Sequence, residues 1–170
     1  HLARMYMQHP IAISIAEKFA DIIVVLTKRQ VQDFPKAKEV RIIPNFSLVK
    51  AISSLNYNRK IVIAAGRRTY QKNFERLETL WNKVQEYKPD WQLKIHHNTT
   101  NMVLAYQEGS IFVFTSRFEG FGLVLIEAMQ CGLPCIAFDC PYGPREIIED
   151  GKTGFLIPYN DNNLFIEKRS

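Results

Sequence analysis

Short apolar runs with a β-branched or aromatic bias recur along this chain, with helical stretches between them, and that alternation constrains the fold more than any other feature. The runs are Ile22–Leu26, Val40–Ile43, Ile61–Ala65, Gln92–Ile95, Ile111–Thr115, Cys135–Phe138 and Gly154–Ile157. Runs this short and this apolar read as strands buried on both faces. Helices between successive strands turn the connections into crossovers, so the sheet should be mainly parallel. The clearest helix spans Lys72–Tyr87, with Phe74, Leu77, Trp81 and Val84 on one face. The expected fold class is α/β, a parallel sheet with helices on both faces.

A chain of 170 residues makes one ordinary domain, or one domain and part of another. Pro44-Asn45 ends a strand, and the stretch from there to Asn58 is polar and weakly patterned. Residues 1–47 are therefore expected to be the tail of one α/β domain, 48–58 a linker, and 59–170 most of a second domain. The chain opens on His1 with no signal-like segment, which reads as a fragment. A hydrophobic fraction of 46% with 23% charged residues excludes a disordered chain. No apolar stretch reaches the roughly 18 residues of a membrane span.

The net charge of +5 favours anionic partners, among them nucleotides, nucleic acid and acidic membrane surfaces. The cations fall in scattered pairs, Lys28-Arg29, Arg59-Lys60 and Arg67-Arg68, too sparse for a nucleic-acid patch. Nucleic acid is not expected as a partner. Cys131, Cys135 and Cys140 lack metal-like spacing and read as buried or partly buried, reduced thiols, which fits a cytoplasmic location. His96-His97 has no third ligand at suitable spacing, so a solvent-facing strand end is expected there and no metal site.

The chemistry concentrates in Ser116-Arg-Phe-Glu-Gly-Phe-Gly-Leu-Val-Leu-Ile-Glu-Ala-Met129. Gly120 and Gly122 allow a sharp strand-to-helix bend and a close approach of backbone to ligand. Past the bend, Leu123, Ile126 and Met129/Gln130 follow helical spacing up to Gly132, a helix stop. A helix start of this kind offers free N–H groups and a positive dipole end to an anion such as a diphosphate. Glu119 stands at the mouth of the turn, although turn carboxylates are often merely solvated. Glu127 falls in an apolar helix, where its charge demands a ligand or a polar partner. The residues favour a polyhydroxylated, anionic ligand.

A second element lies at the end of the Ile61–Ala65 run, Gly66-Arg67-Arg68-Thr69-Tyr70-Gln71-Lys72. Ligands of open α/β sheets sit beyond the carboxyl ends of the strands, so Arg67 and Lys72 are placed where the Glu119 turn also opens. An Arg fork and a Lys ammonium there can neutralise a departing diphosphate. Alone, the segment reads equally as an ordinary solvated loop. Arg117 and Arg145 are equally open between phosphate contact and the surface. Glu146, Glu149 and Asp150 read as the exposed face of a helix before a stop at Gly151.

Glu119-x7-Glu127 in this setting resembles the signature of the retaining glycosyltransferases of family four, which pair two Rossmann-like domains in the GT-B fold. Ala20-Asp-Ile-Ile-Val-Val-Leu-Thr27 and Ile42-Ile-Pro-Asn-Phe-Ser47 resemble the last strands of that family's first domain. Ala65–Lys72 resembles its diphosphate loop. Gly132-Leu-Pro-Cys-Ile136 and Gly143–Leu156 resemble the tail of its donor domain. The likeness runs from about Ala20 onward, with the motifs in order.

The resemblance implies that Arg67 and Lys72 hold a donor diphosphate, assisted by Gly66, Gly120, Gly122 and backbone N–H groups of Phe121–Leu123. It implies that Glu119 contacts the transferred sugar and Glu127 the ribose hydroxyls. The implied reaction moves a hexose from a nucleotide-diphosphate sugar to a glycan or lipid-linked acceptor with retention, needing no cofactor or metal for the leaving group. Phe138-Asp-Cys-Pro-Tyr-Gly-Pro144 has the flavour of bacterial surface-polysaccharide enzymes, which implies a cytoplasmic protein and leaves open a peripheral contact with the inner membrane face.

The family's acceptor domain is almost wholly absent from these residues. Trp91–Ile95 also runs directly into His96-His97-Asn98-Thr99-Thr100-Asn101, where the family has a Gly-Asp-Gly turn, a helix and a further strand. One βα unit is missing, at a sheet edge. The shortened crossover, with Met102–Gln107 as its helix, can still return over one strand, and weakened donor affinity is expected. Two other readings stand beside this one. One is a nucleotide-sugar-binding module that is catalytically incomplete without a partner domain. The other is a dinucleotide oxidoreductase, disfavoured because no Gly-x-Gly-x-x-Gly follows Ile61–Ala65.

Overall fold

The structure is a computed structural model that describes residues 10–50, 55–97 and 99–167. The chain divides into two compact units, His1–Phe46 and Ser47–Ser170. Parts of the expected first domain (1–9), linker (51–54), crossover (Asn98) and carboxyl terminus (168–170) lie outside the described residues.

In the first unit, helix α1 (Pro10–Phe19) precedes two short parallel strands, β1 (Ile23–Val25) and β2 (Val40–Ile42). A 3-10 turn over Lys28–Asp33 starts on Thr27, whose hydroxyl accepts from the Gln30 N–H while the Gln30 side chain accepts from the Thr27 N–H. That reciprocal pair satisfies two backbone donors that the turn leaves open. Ile11, Ile15 and Phe19 recur every four residues along α1 and stay exposed.

The second unit carries five parallel strands: β3 (Ile61–Ala65), β4 (Gln92–His96), β5 (Ile111–Phe114), β6 (Cys135–Phe138) and β7 (Phe155–Ile157). Their order in the sheet is β4-β3-β5-β6-β7. Its helices are α2 (Phe74–Tyr87), α3 (Met102–Glu108), α4 (Leu123–Gln130), α5 (Pro144–Ile147) and α6 (Asn162–Glu167). The period-two alternation of the strands divides the core in two. Ile63, Phe112, Phe114, Cys135 and Ala137 point to one face and pack with Tyr106 of α3 and Leu125 and Ala128 of α4. Val62, Ala64, Val113, Ile136 and Phe138 point to the other and pack with Phe74, Leu77, Leu80, Trp81 and Val84 of α2 and Phe165 of α6. The result is a Rossmann-like α/β layer structure.

Both β4 and β5 pair with β3, so the crossover between them spans a single strand and leaves β4 at the edge. Gly132 ends α4 in a left-handed conformation, φ 85°, donating to the Met129 carbonyl while Leu133 donates to that of Ala128. This is the glycine-dependent helix stop that the sequence predicts.

Three expectations need correction. The helix expected from Lys72 begins at Phe74, because Asn73 is left-handed (φ 55°) and keeps Lys72 in the loop. Glu149 and Asp150 are exposed but not helical, since α5 stops at Ile147 and Ile148 is extended and buried in the core. His96 and His97 are partly buried rather than solvent-facing. The His97 Nδ1 lies 3.0 Å from the Gly66 carbonyl oxygen, and its ring meets Phe74 edge-on at 5.1 Å.

Candidate functional site

Two loops at the carboxyl ends of adjacent strands form the site, 66–73 after β3 and 115–122 after β5. Neighbouring strands of a parallel sheet deliver their loops to the same edge, where open α/β sheets bind ligands. Several hydrogen bonds join the two loops. The Arg117 N–H donates to the Gln71 carbonyl (2.8 Å), its guanidinium Nε donates to the Tyr70 carbonyl (3.1 Å), and the guanidinium lies over the Tyr70 ring. Thr115 Oγ1 donates to the Lys72 carbonyl, and Gln71 Nε2 donates to the Phe118 carbonyl. Arg117, open between phosphate and surface on sequence grounds, is committed to Tyr70.

Glu119 sits at the centre of this junction and is only 4% exposed. Its Oε1 takes the Lys72 ammonium at 2.7 Å and the Ser116 hydroxyl at 2.6 Å, and its Oε2 takes Gln71 Nε2 at 3.2 Å. The solvated alternative for this carboxylate is therefore wrong. A carboxylate this buried is tolerated only when paired and hydrogen-bonded, and three donor atoms from two loops supply that here. Lys72 reaches it by folding its methylenes over Gly66, where an added Cβ would stand 3.0 Å from Lys72 Cε, and by lying over the Phe114 ring.

Of the two turn glycines, only Gly122 takes a left-handed backbone, φ 101°. It starts α4, and its carbonyl accepts from the N–H groups of Leu125 and Ile126. A third loop buttresses the turn from the end of β6. The Glu119 N–H donates to the Pro141 carbonyl, and a side chain at Gly143 (φ 96°) would overlap the Phe121 carbonyl oxygen. Gly143 is thus required by close packing beneath the turn, not by chain reversal alone. Phe121 is buried and Leu123 half-buried.

Glu127 lies on α4, where the sequence demands a polar partner. Tyr106 of α3 provides it, donating to Glu127 Oε2 at 2.9 Å. The guanidinium of Arg67, by contrast, is exposed and has no hydrogen-bond or ion-pair partner among the described residues. The structure therefore brings Lys72, Glu119 and the Gly122 turn together and leaves Arg67 at the rim. Arg145 pairs with Asp139, which holds its guanidinium pKa above the ordinary value.

The sequence does not single out Ser116, Tyr106 or Gly143, and it quotes Gln71 only within the loop. Their partners lie 3, 21, 22 and 48 positions away, and only the Ser116-x-x-Glu119 spacing is local enough to have drawn attention. The three thiols are free and buried. Burial, then the nearby carboxylate of Glu119, pushes the Cys140 thiol up to about 12. Among the described residues no group of three His, Cys, Asp or Glu side chains is placed to hold a metal ion. Among them, too, no helix is long and apolar enough to cross a membrane.

Comparison with known proteins places this geometry in a family. AmsD, the amylovoran biosynthesis glycosyltransferase of Erwinia amylovora, is 35% identical over 181 residues, covering 86% of this chain and 50% of AmsD. The crystal structure of TarM superposes with a TM-score of 0.84 at 24% identity, over 93% of this chain and 37% of TarM. An S. aureus TarM variant in complex with fondaparinux, α-GlcNAc-glycerol and UDP gives 0.83 at 25% identity, over 90% of this chain and 37% of that one. The chain spans about half the length of AmsD. The model of the glycosyl transferases group 1 family matches residues 46–168, and the chain belongs to that family.

Proposed function

We propose that the second unit is the donor-binding half of a retaining family-four glycosyltransferase. It would move a hexose from a nucleotide-diphosphate sugar to a glycan or lipid-linked acceptor in bacterial surface-polysaccharide synthesis. The observation that carries this reading is the pairing of Lys72 with the buried Glu119 beside the Gly122 helix start. The UDP bound by the TarM variant and the biosynthetic role in AmsD's name support the donor class and the setting.

In the proposed reaction the bond between the anomeric carbon and the diphosphate oxygen breaks as the acceptor hydroxyl oxygen bonds that carbon; the hydroxyl proton passes to the leaving diphosphate, on which negative charge gathers. Lys72 and the unpaired Arg67 neutralise that charge, with N–H groups near Phe121–Leu123 at the positive end of α4. A diphosphate competes with Glu119 for the Lys72 ammonium. Glu119 keeps the Ser116 and Gln71 donors when Lys72 shifts, and the contact of Lys72 with the diphosphate offsets the lost ion pair. Glu119 then meets the sugar, and Glu127 accepts from the ribose hydroxyls.

The first unit is proposed as the tail of the acceptor-binding domain. Its exposed Ile11, Ile15 and Phe19 are the apolar stripe expected where a helix is covered by further structure. The shortened β4–α3 connection is proposed to weaken donor affinity by trimming the base pocket. The test is the full chain incubated with a UDP-hexose, with and without a glycan acceptor, following release of UDP. Release dependent on Lys72 supports the enzyme. UDP binding without any release supports the alternative, a nucleotide-sugar module that is incomplete by itself.

A further inference from the structure

Glu127 is the one carboxylate of α4, and its two oxygens are treated differently. Oε2 accepts the Tyr106 hydroxyl at 2.9 Å, whereas Oε1 takes no hydrogen bond from any described residue. The Tyr106 side chain is fully buried and meets Phe112 of β5 edge-on, at 5.8 Å and 74°. Its ring is thus fixed between α3 and the sheet, and its single phenolic proton has two acceptors in reach. The second, the Val124 carbonyl on the same helix, lies at 3.3 Å. A charged acceptor at the shorter distance takes the stronger bond. Burial, then the charge of Glu127, holds the phenol pKa well above its ordinary value, so the hydroxyl remains a donor wherever the fold persists.

We propose that Tyr106 is a positioning residue for the donor nucleotide: it locks Glu127 through Oε2 so that Oε1 is left to accept a ribose hydroxyl. The inference rests on the reading of Glu127 as the ribose acceptor. It adds a role for α3, the helix that follows the shortened connection from β4. A carboxylate on an apolar helix has several rotamers, and a fixed donor from a neighbouring element removes that freedom before the ligand arrives. The phenol does so without contacting the ligand.

Calorimetric titration of the full chain and of Tyr106→Phe with two probes, UDP and 2′,3′-dideoxyuridine diphosphate, tests this. Tyr106→Phe should weaken UDP about tenfold, the scale of one hydrogen bond to a charged group, and leave the dideoxy probe unchanged. In a Glu127→Gln background, Tyr106→Phe should have little further effect on UDP, which a merely structural role would not produce. Equal losses for both probes, or none for either, would overturn the proposal. If Tyr106→Phe does not fold, Tyr106→Met, which also removes the hydroxyl and keeps an apolar filling, should give the same split. The reading of Glu127 fails separately, and takes the proposal with it, if Glu127→Ala leaves UDP affinity unchanged in the otherwise native chain.

Discussion

The two carboxylates of the site lie eight positions apart, and their surroundings differ in kind. Glu119 is gripped by Lys72, Ser116 and Gln71, drawn from two loops, and is almost fully buried. Glu127 is only partly buried and is held at one oxygen by one phenol from a helix. The first region is a structural junction, with a proposed part in the chemistry. The second is a lightly held contact whose free oxygen is proposed to serve a ligand. Changes around Glu119 should therefore cost fold and function together, and changes around Glu127 mostly affinity.

The largest effect is expected for Lys72→Ala. It strands a buried carboxylate with only neutral donors and should lower stability by about 3 kcal/mol, read by denaturant unfolding. It should also abolish UDP binding. A variant as stable as the native chain would erase the contrast between the two carboxylates. Gly143→Ala comes next, because it needs a left-handed alanine and a displaced Phe121 carbonyl. About 2 kcal/mol of destabilisation is expected, with the Glu119 turn loosened. Tyr106→Phe should cost only about 1 kcal/mol of stability while it weakens UDP.

Arg67→Ala sharpens the comparison from the other side. Its guanidinium supports nothing in the unliganded fold, so stability should change by less than about 0.5 kcal/mol. UDP affinity should nevertheless fall about tenfold. At neutral pH the thiols contribute nothing to this contrast, and their effect is confined to alkali. The Cys140 pKa is raised to about 12, so the folded chain keeps its proton while the unfolded thiol loses one from about pH 9 upward. Stability contributed below that range should decline as pH rises from about 9 to 12, and Cys140→Ala should flatten the decline.

Much of the fold is readable in the residues because strand alternation is local. Val62/Ala64 against Ile63/Ala65 already assigns two faces, and both faces are filled. The Gly132 stop is equally local. The Asn73 kink is less so, since asparagine tolerates the left-handed region without announcing it. Glu119's burial is not legible, because it depends on a lysine and a glutamine that the sheet brings in from 47 and 48 positions away. Tyr106 reads as one more aromatic core residue, and its hydroxyl partner emerges only when α3 packs beside α4. The short α5 escaped for a similar reason, since the core claims Ile148 and ends the helix before Glu149.

The most direct test of the central claim, a diphosphate site built on Lys72 and the Gly122 turn, is calorimetric titration of the full chain with UDP beside the Lys72→Ala variant. Saturable binding with a Kd on the order of 100 μM, absent in the variant, is the predicted result. Binding that survives the loss of Lys72, or no binding by the native chain at millimolar UDP, would contradict it.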